Sequence, residues 1–168
     1  MLPKVAKILY ATDLSENARP AFYWAMGLAE QYDAAISVIH IMPDLIEEMS
    51  GAMGYDLVAH FGAEQLAQYN DEGKSAAIAS VKERVASVCN DMKGELPSCR
   101  VDLNHIIVKP GDPVREIITT AEEEDYDLVV MGTHGHGFLD ELLLGSVARG
   151  VVHKCSTPVL TIKLPSDD

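Results

Sequence analysis

Five short apolar runs, separated by amphipathic stretches, limit this chain to very few folds. The runs are Ile8-Leu9-Tyr10 within 4–11, then 36–41, 100–108, 127–131 and 158–163. Each is short, bounded by polar or turn residues, and reads as a buried strand. The stretches between them keep a helical period. Ala18, Ala21, Phe22, Ala25, Leu28, Ala29 and Tyr32 share one face, with Ser15 or Asn17 as the cap and Pro20 comfortable only if Asn17 caps. Ile78, Val81, Val85, Val88, Cys89 and Met92 form the stripe of a helix over 75–93, which Gly94 closes. Gly111-Asp112-Pro113 starts a third helix, with aspartate as cap, proline at the first position, and Val114, Ile117, Ile118 and Ala121 facing inward. Val147, Ala148, Val151, Val152 and Cys155 begin a fourth. Apolar strands alternating with amphipathic helices predict an α/β fold: a single-domain, doubly wound, Rossmann-like five-stranded parallel sheet, helices on both faces, strand order 3-2-1-4-5.

One domain accounts for all 168 residues. The segment 44–74, opened by Pro43 and punctuated by Gly51, Gly54, Gly62 and Gly73, reads as a variable insertion over one sheet edge, helical in parts such as 57–69. It follows the second strand, so it reads equally as a lid or as a fixed surface excursion. Met42, Met49 and Met53 read as packing residues.

The fourth strand leads into Gly132-Thr133-His134-Gly135, and Gly145-Ser146 follows after nine intervening residues at the start of the last helix. Strand, glycine-rich loop and helix N-terminus together suit a phosphate. Glycines let the backbone approach closely, and the first helical N–H groups are unpaired and carry partial positive charge. The Ser146 hydroxyl adds a donor. The loop is not a G-x-x-x-x-G-K-[ST] P-loop, since no lysine precedes Ser146, and Gly132, Gly135 and Gly137 do not have G-x-G-x-x-G spacing. A long glycine-rich turn without a ligand is the plain alternative. In a 3-2-1-4-5 sheet the strand order reverses between the first and fourth strands, which sets Asp13 opposite the Gly132 loop across one crevice. A carboxylate facing a phosphate cradle matches the ribose and the phosphate chain of a nucleotide.

Composition narrows the partners. Thirteen basic residues against twenty-six acidic give a net charge of −13. That argues against nucleic acid and anionic membrane surfaces as partners, since both attract clustered lysine and arginine. A nucleotide must therefore be held locally, by backbone dipoles, a metal ion or both. No apolar run nears the roughly 18 residues of a membrane span. Met1-Leu2-Pro3-Lys4 leads directly into a strand, with no visible signal peptide. Cys89, Cys99 and Cys155 are odd in number and widely spaced, and predict buried, reduced thiols in a cytoplasmic protein.

Several segments together resemble the universal stress protein family. Lys7-Ile8-Leu9-Tyr10-Ala11-Thr12-Asp13-Leu14-Ser15 is similar to the family's opening, and Gly132-Thr133-His134-Gly135 with Gly145-Ser146-Val147-Ala148 matches its G-x2-G-x9-G-[ST] loop without a gap. His40-Ile41 and Ser156-Thr157-Pro158-Val159-Leu160 also fit, so the resemblance covers nearly the whole chain outside 44–74. Members with the full loop bind ATP, often with Mg²⁺ or Mn²⁺ on the phosphates. The resemblance implies that Asp13 takes the ribose or adenine end, that Ala11, Thr12 and Ile41 flank the adenine, and that Met131 and Gly132 lie beneath the ribose. It implies that Gly135, Gly145, Ser146 and Val147 hold phosphates through backbone N–H groups. It further implies a homodimer joined edge to edge through the last strand, 159–163, which would protect an apolar edge. Ala11 stands where proline is common in the family, a mild change at a position that needs only an apolar wall.

His136 replaces the arginine of many relatives, beside the phosphates, and invites pH-dependent affinity. His134 and His136 form an H-x-H pair, but no cysteine or carboxylate lies at a recognisable ligand spacing from them, so a dedicated metal site is not expected. Asp140 and Glu141 read as a solvated face, and His40 as a strand-end residue. The sequence shows no activated nucleophile and no acid–base pair of interpretable spacing. The expected function is therefore a nucleotide-dependent regulatory switch in stress response. The alternatives are a slow ATPase or nucleotidyl-transfer enzyme, and a dimeric scaffold without functional nucleotide.

Overall fold

A computed structural model describes residues 4–15, 18–44, 49–52, 54, 56–92, 94, 99–133 and 144–164. In chain order the elements are β1 (Lys7–Ala11), α1 (Arg19–Tyr32), β2 (Ala35–Met42), α2 (Leu57–Phe61), α3 (Ala63–Asp91), β3 (Val101–Pro110), α4 (Pro113–Glu123), β4 (Leu128–Gly132), α5 (Ser146–Lys154) and β5 (Val159–Ile162). The sheet order is β3-β2-β1-β4-β5, and every pairing is parallel. This is the expected doubly wound architecture.

Alternation along the strands divides the core in two. Ile8 and Tyr10 of β1 pack with Phe22 and Met26 of α1 and with Val81, Val85 and Val88 of α3. Leu9 and Ala11 point the other way, against Ile117 and Ala121 of α4 and Ala148 and Val151 of α5. Successive side chains of a strand face opposite sides, so buried β1 feeds both cores.

Four local expectations change. First, α1 begins at Arg19 with Ala18 at the cap position and no side-chain cap, and Pro20 occupies its first turn. Ser15 instead accepts the Ala18 N–H through its carbonyl, and Asn17 lies outside the described residues. Second, the expected boundary near Ser75 does not exist. Helix α3 runs unbroken from Ala63 to Asp91, 29 residues, and closes at Met92 rather than at Gly94. The stretch before Ser75 is rich in good helix formers, and the Gln68 amide donates to Glu72 at 3.2 Å one turn on. Gly73 costs about 1 kcal/mol relative to alanine, too little to interrupt a helix that propagates cooperatively. A real break falls at Gly62 (φ +85°), between α2 and α3; at the opposite end of α2, Asp56 caps the helix by accepting the Val58 and Ala59 N–H groups.

Third, Cys89 and Cys99 are joined by a disulfide, and only Cys155 is free. Spacing gave no sign of this pair. Helix α3 and β3 bring the two residues together although ten positions separate them in sequence. The fourth strand also starts one residue late: Asp127 turns its carboxylate onto the start of β1, accepting the Ala6 N–H at 2.8 Å and the Lys7 N–H at 2.9 Å. Among the described residues no helix is long and apolar enough to cross a membrane.

Candidate functional site

The two middle strands of the reversal, β1 and β4, end at one cavity of about 310 Å³. From β1 and the loop after it come Ala11, Thr12 and Asp13, and from β2 come Ile39 and Ile41. From β4 come Met131 and Gly132, and from the start of α5 come Gly145, Ser146 and Val147. All of the site residues expected from sequence that the structure describes therefore line the same cavity. Gly135, His136, His134, Asp140 and Glu141 lie outside the described residues.

The Asp13 loop is held from four directions. The Thr12 N–H continues the sheet to the Ile39 carbonyl at 3.0 Å. Two tight side-chain turns follow, with Thr12 Oγ1 accepting the Leu14 N–H at 3.1 Å and Asp13 Oδ1 accepting the Ser15 N–H at 3.0 Å. His40 Nδ1 lies 2.9 Å from the Thr12 carbonyl. A carbonyl only accepts, so this contact puts the proton on Nδ1. From α3 the Arg84 guanidinium donates to the carbonyls of Leu14 and Ser15. Beneath the loop, Tyr10 donates to the Ala18 carbonyl at 3.2 Å and stacks on Phe22 with ring centroids 4.9 Å apart. Burial pushes the Tyr10 phenol up to about 12, so it stays protonated and keeps donating.

Across the cavity, the Thr133 N–H bonds the Ile162 carbonyl at 2.9 Å, and the Gly145 N–H bonds the Thr133 carbonyl at 2.7 Å. That second bond commits the Gly145 N–H to the backbone. The first-turn N–H groups of Ser146, Val147 and Ala148 have no intrahelical carbonyl to bond. They form the donor set at the positive end of α5. Gly132 packs closely under Leu164: a Cβ there would lie 2.5 Å from Leu164 Cδ1, so the leucine would have to move.

Sequence reasoning missed Ala18, Ile39, Pro113, Ile117, Ala148 and Leu164, which complete the wall. For Pro113 and Ile117 a signal existed. A right-handed crossover from edge strand β3 to β4 must pass over β2 and β1, and that carries the start of α4 across the strand ends. Asp13 is the carboxylate on the lining, and among the described residues no three His, Cys, Asp or Glu side chains cluster as metal ligands. This donor set fits a divalent ion held chiefly by phosphate oxygens rather than by a protein cage.

The family model for the universal stress protein family matches residues 4–163. The chain belongs to this family. It is 29% identical over 164 residues to universal stress protein MJ0577 of Methanocaldococcus jannaschii, covering 94% of each chain. It is 30% identical over 162 residues to universal stress protein MJ0531 of the same organism, covering 96% of this chain and 84% of that one. The solved structure of MJ0577 superposes with a TM-score of 0.67, at 27% identity, over 96% of this chain and 98% of that one. A universal stress protein crystallised in complex with cAMP shares the fold at 18% identity and a TM-score of 0.52, over 95% and 98% of the two chains.

Proposed function

We propose that this universal stress protein binds ATP in the β1–β4 cavity, with Mg²⁺ or Mn²⁺ on the phosphates, and acts as a nucleotide-dependent regulatory switch in stress response. One observation carries this reading: Asp13 and the unpaired first turn of α5 face each other across a single cavity. The apolar wall of Ala11, Ile39, Ile41 and Ile117 suits a base. Asp13 accepts from ribose hydroxyls, and the Ser146, Val147 and Ala148 N–H groups receive phosphate oxygens. Met131 and Gly132 underlie the sugar. The family's cAMP complex supports an adenine nucleotide as the ligand class. ATP then acts through its differential affinity for two conformers or two partners.

The protein works in the cytoplasm as a homodimer in this reading. Strand β5 is the outer edge of the sheet. The carbonyls of Pro158, just before the strand, and of Ile162 accept from the Val129 and Thr133 N–H groups. By alternation, the polar backbone groups of Val159 and Thr161 face away from β4, free to join a second copy. Thr161→Pro removes only an outward N–H, and should convert a dimer to a monomer in sedimentation without unfolding it.

Calorimetric titration with ATP, ADP and AMP, with and without Mg²⁺, tests the central claim. The expected result is micromolar ATP binding that Gly145→Val abolishes, because a branched side chain at the cap blocks phosphate approach. Absence of binding by any adenine nucleotide would leave the loop a turn and the protein a dimeric scaffold.

A further inference from the structure

A larger hollow lies directly beside this cavity. Between α4 and α5 runs a groove of about 1030 Å³, against about 310 Å³ for the cavity itself. Ser146 lines both, so the groove begins where the first cavity ends. Its charge runs against that of the whole molecule. The chain carries −13, yet Arg115, Arg149 and Lys154 line the groove with His153 beside them. The one carboxylate among the lining residues, Asp112, is already engaged as the α4 cap, accepting the Arg115 N–H at 2.8 Å. Arg115 is paired with Glu116 at 3.0 Å. Among the described residues, the Arg149 and Lys154 side chains have no carboxylate partner. Two cations without a carboxylate partner among the described residues, on one wall of a groove, focus a positive potential there.

The direction of that wall matters. Arg149 stands one turn beyond Ser146, and Lys154 eight residues beyond it, about 12 Å along α5 at about 1.5 Å per residue. The cations therefore continue the line that a phosphate chain follows when it leaves the α5 N-terminus past Ser146. Apart from Thr119 and Gly150, the remaining wall is apolar and includes Val114, Ile118 and Val152, the last 46% exposed. Cations followed by an apolar shelf match further phosphates followed by a further nucleoside. An acidic peptide would meet the same charges, but nothing about it would require continuity with the first cavity at Ser146.

We propose that the groove is the second half of one extended site, and that the preferred ligand is a dinucleoside polyphosphate. One nucleoside and the first phosphates occupy the β1–β4 cavity. The remaining phosphates pass Ser146 to Arg149 and Lys154, and the second nucleoside rests on Val114, Ile118 and Val152. This inference rests on the nucleotide reading of the first cavity.

The test compares ATP with P1,P4-di(adenosine-5′) tetraphosphate by calorimetry on the full chain, at fixed salt, for wild type, Lys154→Gln and Arg149→Gln/Lys154→Gln. Wild type should bind the dinucleotide at least about tenfold more tightly than ATP. The double variant should lose about tenfold or more on the dinucleotide and less than about threefold on ATP, with Lys154→Gln intermediate. ATP binding in these variants reports that they are folded. Equal affinity of wild type for the two ligands, or equal losses of both in the variants, would overturn the proposal while leaving ATP binding intact. Binding of neither ligand to wild type would overturn the nucleotide reading itself, and this proposal with it.

Discussion

The Arg84 guanidinium, in the second half of a 29-residue helix, donates to the Leu14 carbonyl at 2.5 Å. Leu14 is a leucine in left-handed backbone conformation, φ +64°. Such a residue costs of order 1–3 kcal/mol and persists only where its surroundings over-determine it. Arg84 is a large part of that determination, since it also holds the Ser15 carbonyl. The loop it fixes carries Asp13, so α3 sets the geometry of the β1–β4 cavity without lining it.

Arg84→Met should therefore act on both stability and affinity. Loss of charge-assisted bonds to two carbonyls predicts about 1–3 kcal/mol of destabilisation in urea unfolding. It also predicts about a tenfold loss in ATP affinity, equivalent to about 1.4 kcal/mol, at temperatures where the variant is folded. Arg84→Lys should recover part of each, because an ammonium reaches one carbonyl but lacks the planar fork. Full ATP affinity in a destabilised Arg84→Met would show that the loop keeps its shape unaided.

Tyr10 makes a prediction about alkaline stability. It is 1% exposed, and burial raises its pKa from 10.0 to about 12. Below pH 10 the phenol is protonated in both folded and unfolded chains, and its contribution is fully present. Between about pH 10 and 12 the unfolded state loses the proton first, so stability falls as pH rises. The total loss is of order 2–3 kcal/mol. Urea unfolding at pH 9 and pH 11.5 should show this fall in wild type, and a smaller one in Tyr10→Phe, which has no phenol to ionise. Parallel pH curves for the two proteins would contradict the assignment.

How far the sequence exposes this molecule depends on the range of the interaction. Strand runs and helical stripes are local patterns, and with the crossover rules they specify the sheet order. That order alone brings Asp13 and Ser146 to one cavity. Ala11, Thr12, Ile41, Met131 and Val147 follow from chain neighbourhood and from the family resemblance. Arg84 was invisible because its partners are carbonyls 69 and 70 residues away, and backbone acceptors leave no trace in side-chain spacing. The Gly145 N–H could not be known to bond Thr133 rather than a ligand. Cys89 and Cys99 were misread because their pairing depends on where α3 ends against β3. Gly73 looked like a boundary because a single glycine is weighed locally, whereas the helix gains from both of its flanks.

Gly150 is a packing glycine that no motif marks. A Cβ at this position would lie 2.8 Å from Val114 Cγ2, where α4 and α5 touch. Alanine has the better helix propensity, worth about 1 kcal/mol, so a purely local view makes Gly150→Ala stabilising. Overpacking of about 1–3 kcal/mol should reverse that sign. The expected outcome is a lowered unfolding midpoint, with Val114→Ala restoring it in the double variant. A single variant more stable than wild type would mean that the two helices separate at little cost.

The Cys89–Cys99 disulfide closes a short loop between α3 and β3. Constraining the unfolded chain over ten residues is worth about 2–3 kcal/mol in the chain-entropy account. Thiol titration of the oxidised, denatured protein should find one reactive group, Cys155, and titration after reduction should find three. Reduction should lower the unfolding midpoint, and Cys89→Ser should reproduce the lowered value and make it insensitive to reductant. The cytoplasm keeps most thiols reduced, so the weaker, reduced form is the one expected there. Because Arg84 lies just over one turn before Cys89 on α3, ATP affinity measured with and without reductant also reports whether the bridge reaches the Asp13 loop. Equal affinities would confine the bridge to stability, and a fall on reduction would extend it to the site through α3.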